Sequence, residues 1–308
     1  MQYSQDQPER PHQSQLLGIG LRIGAATSFA IMAATIKLGY EAGVSTPELI
    51  FYRFAFGLPP LLGWITLSGN YRAWRTERPK AHLTRMMIGL TSMVFAFSAL
   101  DYLPLAEATV ISFAAPLFSV ILSVLILQEQ VGRHRWTAVA IGFIGVVIVM
   151  RPGGADLPLI GLTIAVTAAF GVACVNITIR QIGRTESPQT TVLWFTLGSM
   201  LIVGLFFMPF HVQSHDAGTW AILIAVGLSG GAGQLFLTAS LRHAPVPAIV
   251  PFDYTQLLWA VLLGWLFWDK RPSPTTWAGA AIIIASGLYT ISREQKLRRA
   301  GRKAPATL

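Results

Sequence analysis

Seven side chains with chemistry to offer are stranded in otherwise apolar runs: Phe113, Asn176, Gln234, Phe252, Asp253, Tyr254 and Gln256. Asp253 follows Pro251 and stands between Phe252 and Tyr254, with Gln256 on the next turn. An ionised carboxylate at the centre of a membrane helix costs about 2.5–3.5 kcal/mol on insertion scales, so its retention needs a reason. An acid, an amide and two rings on consecutive turns suit a cavity wall that binds a cationic or protonated group, or that carries a coupling proton. The alternative is an acid that only braces a neighbouring helix. Asn176 and Gln234 are lone amides, placed either to line that cavity or to bond between helices. Phe113, close to Pro116, can stack on a planar substrate or fill the core.

The scaffold that positions these residues is named by composition. Of 308 residues, 53% are apolar and only 12% charged, against about 25% charged in an ordinary soluble domain. The mean hydropathy is +0.55. At about 20 apolar residues per crossing, apolar runs fall near 16–37, 48–68, 84–101, 105–127, 134–150, 157–179, 188–209, 218–240, 246–268 and 274–292. Backbone groups in hydrocarbon must be satisfied within their own segment, so the runs are helices. The expectation is an all-α integral membrane protein with ten transmembrane helices. Residues 1–15 read as a disordered tail and 293–308 as a basic one, with turns such as Arg151-Pro152-Gly153-Gly154 between runs.

A net charge of +9 raises the question of nucleic acid, and the placement of the charges answers it. With the N-terminus inside, 17 of the 23 Lys and Arg residues fall on the inner side, four fall outside (Lys37, Arg151, Lys270, Arg271), and Arg22 and Arg53 lie within spans. That bias predicts an inner membrane with both termini cytoplasmic. Lys37 is expected to snorkel to the headgroups, and Arg53 to pair internally with Glu41 or Glu48. Glu129 and Asp269 close long helices beside Arg133, Arg135, Lys270 and Arg271, as structural capping charges. No glycine run ends in Gly-Lys-Ser/Thr and His-Glu-x-x-His does not occur; Gly-x-Ser-x-Gly appears only at 227–231, inside an apolar run and not at the strand-to-helix turn of a nucleophile elbow, so no motif asks for ATP, a metal or another cofactor. The single Cys174 permits no intramolecular disulfide. Its place in an apolar run reads as a packed thiol.

Residues 99–108 (ALDYLPLAEA) align with 239–248 (ASLRHAPVPA) at an offset of 140, which places Glu129 on Asp269; one insertion then places Trp136 on Trp277. Five spans per half is an odd number, so residues 16–151 and 157–292 form two repeats inverted relative to each other. That is a plan of secondary transporters, with substrate bound near the midplane.

The stretch from Ala99 to Gly153 carries Leu103-Pro104, Ala108-Thr109, Phe113, Pro116, Glu129, Arg135-Trp136, Gly142, Gly145 and Arg151-Pro152. With PFDYTQLLWAVLLGWLFWDKRP at 251–272, Lys37 and Phe51-Tyr52-Arg53-Phe54, it resembles the drug/metabolite transporter superfamily, in the type with two EamA domains. The resemblance implies a cavity lined by helices 1, 3, 4, 6, 8 and 9 and alternating-access transport of a small organic metabolite. Within the family, the likeness is to carriers of S-adenosylmethionine, riboflavin or amino acids, driven by exchange or by protons. The rival readings are a membrane-embedded enzyme, which six scattered histidines disfavour, and a structural bundle that transports nothing. Partners are then a small-molecule substrate and the bilayer, not nucleic acid, with a homodimer left open.

The charge bias yields a direct test. Reporter tags at Leu308 and in the 69–83 loop should both read cytoplasmic, and one in the 211–217 loop the opposite side. An external Leu308 tag would overturn the orientation and the even span count together.

Overall fold

The computed structural model describes residues 12–129, 131–150, 157–183 and 185–303, and contains no strand among them. The long helices are α1 (His12–Glu41), α2 (Thr46–Leu67), α3 (Pro79–Tyr102), α4 (Leu105–Leu127), α5 (Arg133–Met150), α6 (Leu159–Ile182), α7 (Pro188–Phe206), α8 (Ala217–His243), α9 (Val250–Trp268) and α10 (Pro274–Lys303). Among the described residues nine of these, all but α10, are long and apolar enough to cross a membrane. Helix α10 starts in an apolar run, lies along α5, and continues as helix into the basic stretch expected as a tail. Most of the N-terminal tail and the turn at 151–154 fall outside the described residues.

Helix starts follow local capping chemistry. Ser45 precedes α2, and its backbone N–H and hydroxyl both donate to Glu48 at 3.2 and 3.1 Å, a reciprocal cap three residues apart. Ser187 accepts from Thr190 N–H at the head of α7, which begins with Pro188. Asp216 accepts from Gly218 and Thr219 N–H at the head of α8. Those bonds, led by Thr219, hold its carboxyl below the ordinary carboxylate range.

Contacts between connections sort onto two faces, as alternating crossings require. On the face where α1 begins, Asn70 donates to Gln189, Gln189 to Ser68, Thr76 to Glu186 and Arg180 to Glu129. On the other, Trp268 donates to Glu41, Lys37 to the carbonyls of Leu100 and Leu103, and Thr276 to buried Glu107.

The duplication is visible in the packing. Helix α3 lies along α6 and α1 along α8; α4 meets α6 and α9 meets α1; α2–α7, α4–α9 and α5–α10 pair each helix with its own counterpart. Each of these pairings maps onto another, or onto itself, when helix n is exchanged for n+5. The structural offset is 141 rather than 140. Leu103 and Ala244 both end their helices in extended backbone, Pro104 and Pro245 both precede the next, and Gln128 and Asp269 both turn through the left-handed region at φ 55° and 48°. Trp136 then matches Trp277 with no insertion. Placing acid on acid, Glu129 on Asp269, gives 140 and slips the register by one, whereas the prolines and the tryptophans both give 141.

Glycines set the closest approaches. Gly57 and Gly231 bring α2 onto α8, and Gly145 and Gly279 bring α5 onto α10. A Cβ at Gly279 would stand 2.6 Å from the Gly145 carbonyl oxygen. Gly279→Leu should therefore cost about 1–3 kcal/mol by overpacking, read as a clear drop in melting temperature. Gly20→Ala, with nothing within 4 Å of its added carbon, should leave melting unchanged or raise it. Equal melting of both variants would contradict the packing described.

Candidate functional site

The helices that meet on the pseudo-two-fold axis, α4 and α9, are both interrupted. In α4 the helix ends at Ser112 and restarts at Ala115. In α9 residues Val250–Tyr254 wind as a 3-10 turn before the helix proper begins at Thr255. Pro251 accounts for part of this, since it has no N–H to give the preceding turn. At an offset of 141, Phe113 and Tyr254 are counterparts, and their rings meet edge to face with centroids 5.0 Å apart.

Beside this junction Asp253 is paired. Arg22 of α1 donates through Nε and Nη2 to its two carboxylate oxygens, a bidentate bond. The Arg22 side chain is 10% exposed and the Asp253 side chain 36%, so the arginine is enclosed and the acid faces open space. Measured from the starts of their apolar runs at residues 16 and 246, both lie about 10 Å in at 1.5 Å per residue. Sequence reasoning noted Arg22 only as a charge within a span. Its signal was the cost of an arginine at the seventh residue of the first apolar run, which demands a partner.

The other residues singled out in the sequence separate. Gln256 borders a cavity of ≈ 140 Å³ between α1, α3, α4, α6 and α9, whose rim includes Thr109, Ser112, Phe29 and Phe97. Phe113 is buried, and Phe252 and Tyr254 are half-buried around the ion pair. Gln234 instead borders a second cavity, of ≈ 240 Å³, between α2, α3, α7 and α8. Asn176 is exposed on α6 and reaches Ser119 Oγ at 3.5 Å. The structure thus gathers Phe113, Phe252, Asp253, Tyr254 and Gln256, and leaves Gln234 and Asn176 elsewhere.

Two expectations about charge are corrected. Arg53 pairs with neither Glu41 nor Glu48: Glu41 accepts from Trp268, and Glu48 accepts from Ser45, Gln213 N–H and His215 at 3.0 Å. Lys37 does not snorkel; its ammonium donates at 2.8 and 3.1 Å to carbonyls at the end of α3, where helix-terminal oxygens lack partners. Glu129, expected as a structural charge at a helix end, accepts from Arg180 of α6 at 2.9 Å.

The profile of the EamA-like transporter family matches residues 16–151 and again 159–292. The chain belongs to the EamA-like transporter family. It is similar to a riboflavin transporter of Vibrio cholerae, 28% identical over 89% of this chain and 93% of that one. It is also similar to an S-adenosylmethionine uptake transporter of Rickettsia conorii, 30% identical over 81% of this chain and 84% of the other. One solved crystal structure superposes with a TM-score of 0.64 at 19% identity, covering 92% of this chain and 98% of the other, a likeness of fold. This EamA-like chain is a multi-pass membrane protein made of two copies of the family's unit.

The bidentate pair predicts coupled energetics. Breaking a fully buried pair costs about 3–5 kcal/mol; with the Asp253 side chain 36% exposed, about 1–2 kcal/mol is expected for Asp253→Asn or Arg22→Gln alone. The double variant should recover at least half of that loss, measured by thermal unfolding of purified protein. Strictly additive losses would show that the two residues do not act on each other.

Proposed function

We propose that this EamA-like chain is a secondary carrier of a small organic metabolite, lying in an inner membrane with both termini cytoplasmic and working by alternating access. The observation that carries the reading is the junction on the two-fold axis. Both helices that cross there are broken at their point of contact, beside an ion pair whose acid is partly exposed. Broken helices at mid-depth between inverted halves are where such carriers hold substrate, because unwound backbone and helix ends offer polar groups there.

An unequal pair of interfaces supports the alternating part. Helix α8 lies on α2 through Gly57, Gly227 and Gly231. At the equivalent interface α3 meets α7 more loosely, through Arg85, Met86 and Phe195 set into notches at Gly89 and Gly198. Two interfaces related by symmetry but packed unequally are what a carrier exchanges when one half rocks against the other.

For the substrate, the names of the relatives bring a flavin and S-adenosylmethionine to the chain as candidates, beside the amino acids expected from the sequence. The cavity at Gln256, edged by Phe29 and Phe97, suits a flat heterocycle whose faces are covered by rings and whose edge meets an amide. Asp253 and Tyr254 stand at the same junction, where the acid can accept a cationic group or a proton in exchange for Arg22.

Proteoliposomes preloaded with unlabelled riboflavin, S-adenosylmethionine or an amino-acid mixture test the proposal by counterflow. One preload should stimulate uptake of the same labelled compound several-fold over empty vesicles, and Gln256→Leu should lower that rate without changing folded yield. Uptake no faster than in protein-free vesicles for every class would end the carrier reading for these substrates.

A further inference from the structure

Arg53 on α2 and Arg85 on α3 are buried, at 8% and 9% exposure, and neither has a hydrogen-bond or ion-pair partner among the described residues. The Nε of each, and Nη1 of Arg85, are sealed from solvent without an acceptor. What holds them is aromatic. The Arg85 guanidinium lies 4.1 Å from the centroid of Phe195, and that of Arg53 lies 4.7 Å from Phe54. The two rings meet edge to face at 5.3 Å. Both arginines line the ≈ 240 Å³ cavity that also holds Thr191, Thr196 and Gln234.

One acid shares this cavity and is already engaged. Glu186 accepts from the Thr76 hydroxyl at 2.7 Å and the Glu77 N–H at 3.1 Å, and stands 4.0 Å from His82 Nε2. It closes the connection between α6 and α7 onto the segment before α3 and makes no pair with either guanidinium. Two cations therefore face one committed carboxylate.

A scaffold role explains this poorly. A buried structural arginine is ordinarily paired, because an uncompensated charge out of water is strongly unfavourable. Ring contacts recover only part of that. The missing counter-charge has a natural source in a ligand. Planar guanidinium forks match the paired oxygens of a carboxylate or phosphate, and the Thr196 hydroxyl with the Gln234 amide can serve the remaining lone pairs. The volume falls below the about 300–1,000 Å³ of drug-sized pockets, so it suits the charged end of a molecule. We infer that this cavity binds the carboxylate or phosphate group of a soluble organic anion between Arg53 and Arg85. The inference rests on the carrier reading above, and within it makes that anion the transported substrate or its exchange partner.

The test uses the full chain in nanodiscs of zwitterionic lipid, with succinate and glycerol 3-phosphate as probes, succinamide and choline as neutral and cationic controls, and sodium chloride at matched ionic strength. At least one anion should raise the melting temperature saturably while the controls do not. Arg53→Gln and Arg85→Gln should each weaken its apparent Kd at least about tenfold, or about 1.4 kcal/mol. Arg85→Lys keeps the charge without the fork, should fall between, and stands in if a glutamine variant fails to fold. No saturable anion effect, or an unchanged Kd in the folded variants, overturns the inference. So does stabilisation seen only when phosphatidylglycerol is added to the nanodiscs, which would assign the arginines to a lipid headgroup. Counterflow of a neutral or cationic solute that both glutamine variants retain would remove the anion site and leave the carrier standing. Saturable anion binding without flux of any solute would keep the site and remove the carrier.

Discussion

Hydrocarbon offers a peptide group no hydrogen-bond partner, and this constraint decides where the chain can depart from regular helix. Both departures lie where α4 and α9 touch, enclosed by protein. The break in α4 is closed by tightened turns, with Phe113 and Ala114 N–H reaching Val110 and Ile111 carbonyls at 3.1 and 2.9 Å. That in α9 is a 3-10 turn whose Phe252 carbonyl also accepts from the Thr255 hydroxyl at 2.6 Å. Among the described residues both mid-helix breaks lie at this contact, and so do the polar groups they free. The placement of the candidate site follows from the solvent before any substrate is considered.

The buried cations show how many solutions one problem has. Lys37 satisfies itself on carbonyls at a helix end, Arg22 on a carboxylate, and Arg53 and Arg85 on aromatic faces. The first two leave nothing wanting. The third leaves donors without acceptors, and this difference in completeness separates scaffold from site more sharply than burial does, because all four side chains belong to apolar surroundings.

Much of the fold was legible because its signals are local or additive. Hydropathy over a span, the prolines at 104 and 245, and serine before α2 and α7 need no knowledge of the partner helix. The family resemblance likewise rests on motifs that a single repeat carries. The site was half legible. The 252–256 cluster and Phe113 stood out as residues that do not suit their runs, and the structure brings them together. What sequence could not supply was pairing across 231 positions between Arg22 and Asp253, or the fact that Glu48 is spent on His215 and Gln213. Arg85 was hidden for another reason. Near a helix start it reads as one more inner-face charge, and only the Phe195 ring beneath it and the empty acceptor side distinguish it.

The meeting of Phe113 with Tyr254 has a historical consequence. Each is the other's counterpart, so in an assembly of two identical unfused chains this would have been a residue touching itself across an isologous interface. Such an ancestor would have had to insert in both orientations, and any substitution there would have struck both sides at once. Fusion released the two positions from each other. One is now phenylalanine, and the other carries a hydroxyl lodged against Gly287, whose own counterpart is Val146. The edge-to-face contact thus records the step at which a symmetric dimer became a single chain free to treat its two sides differently.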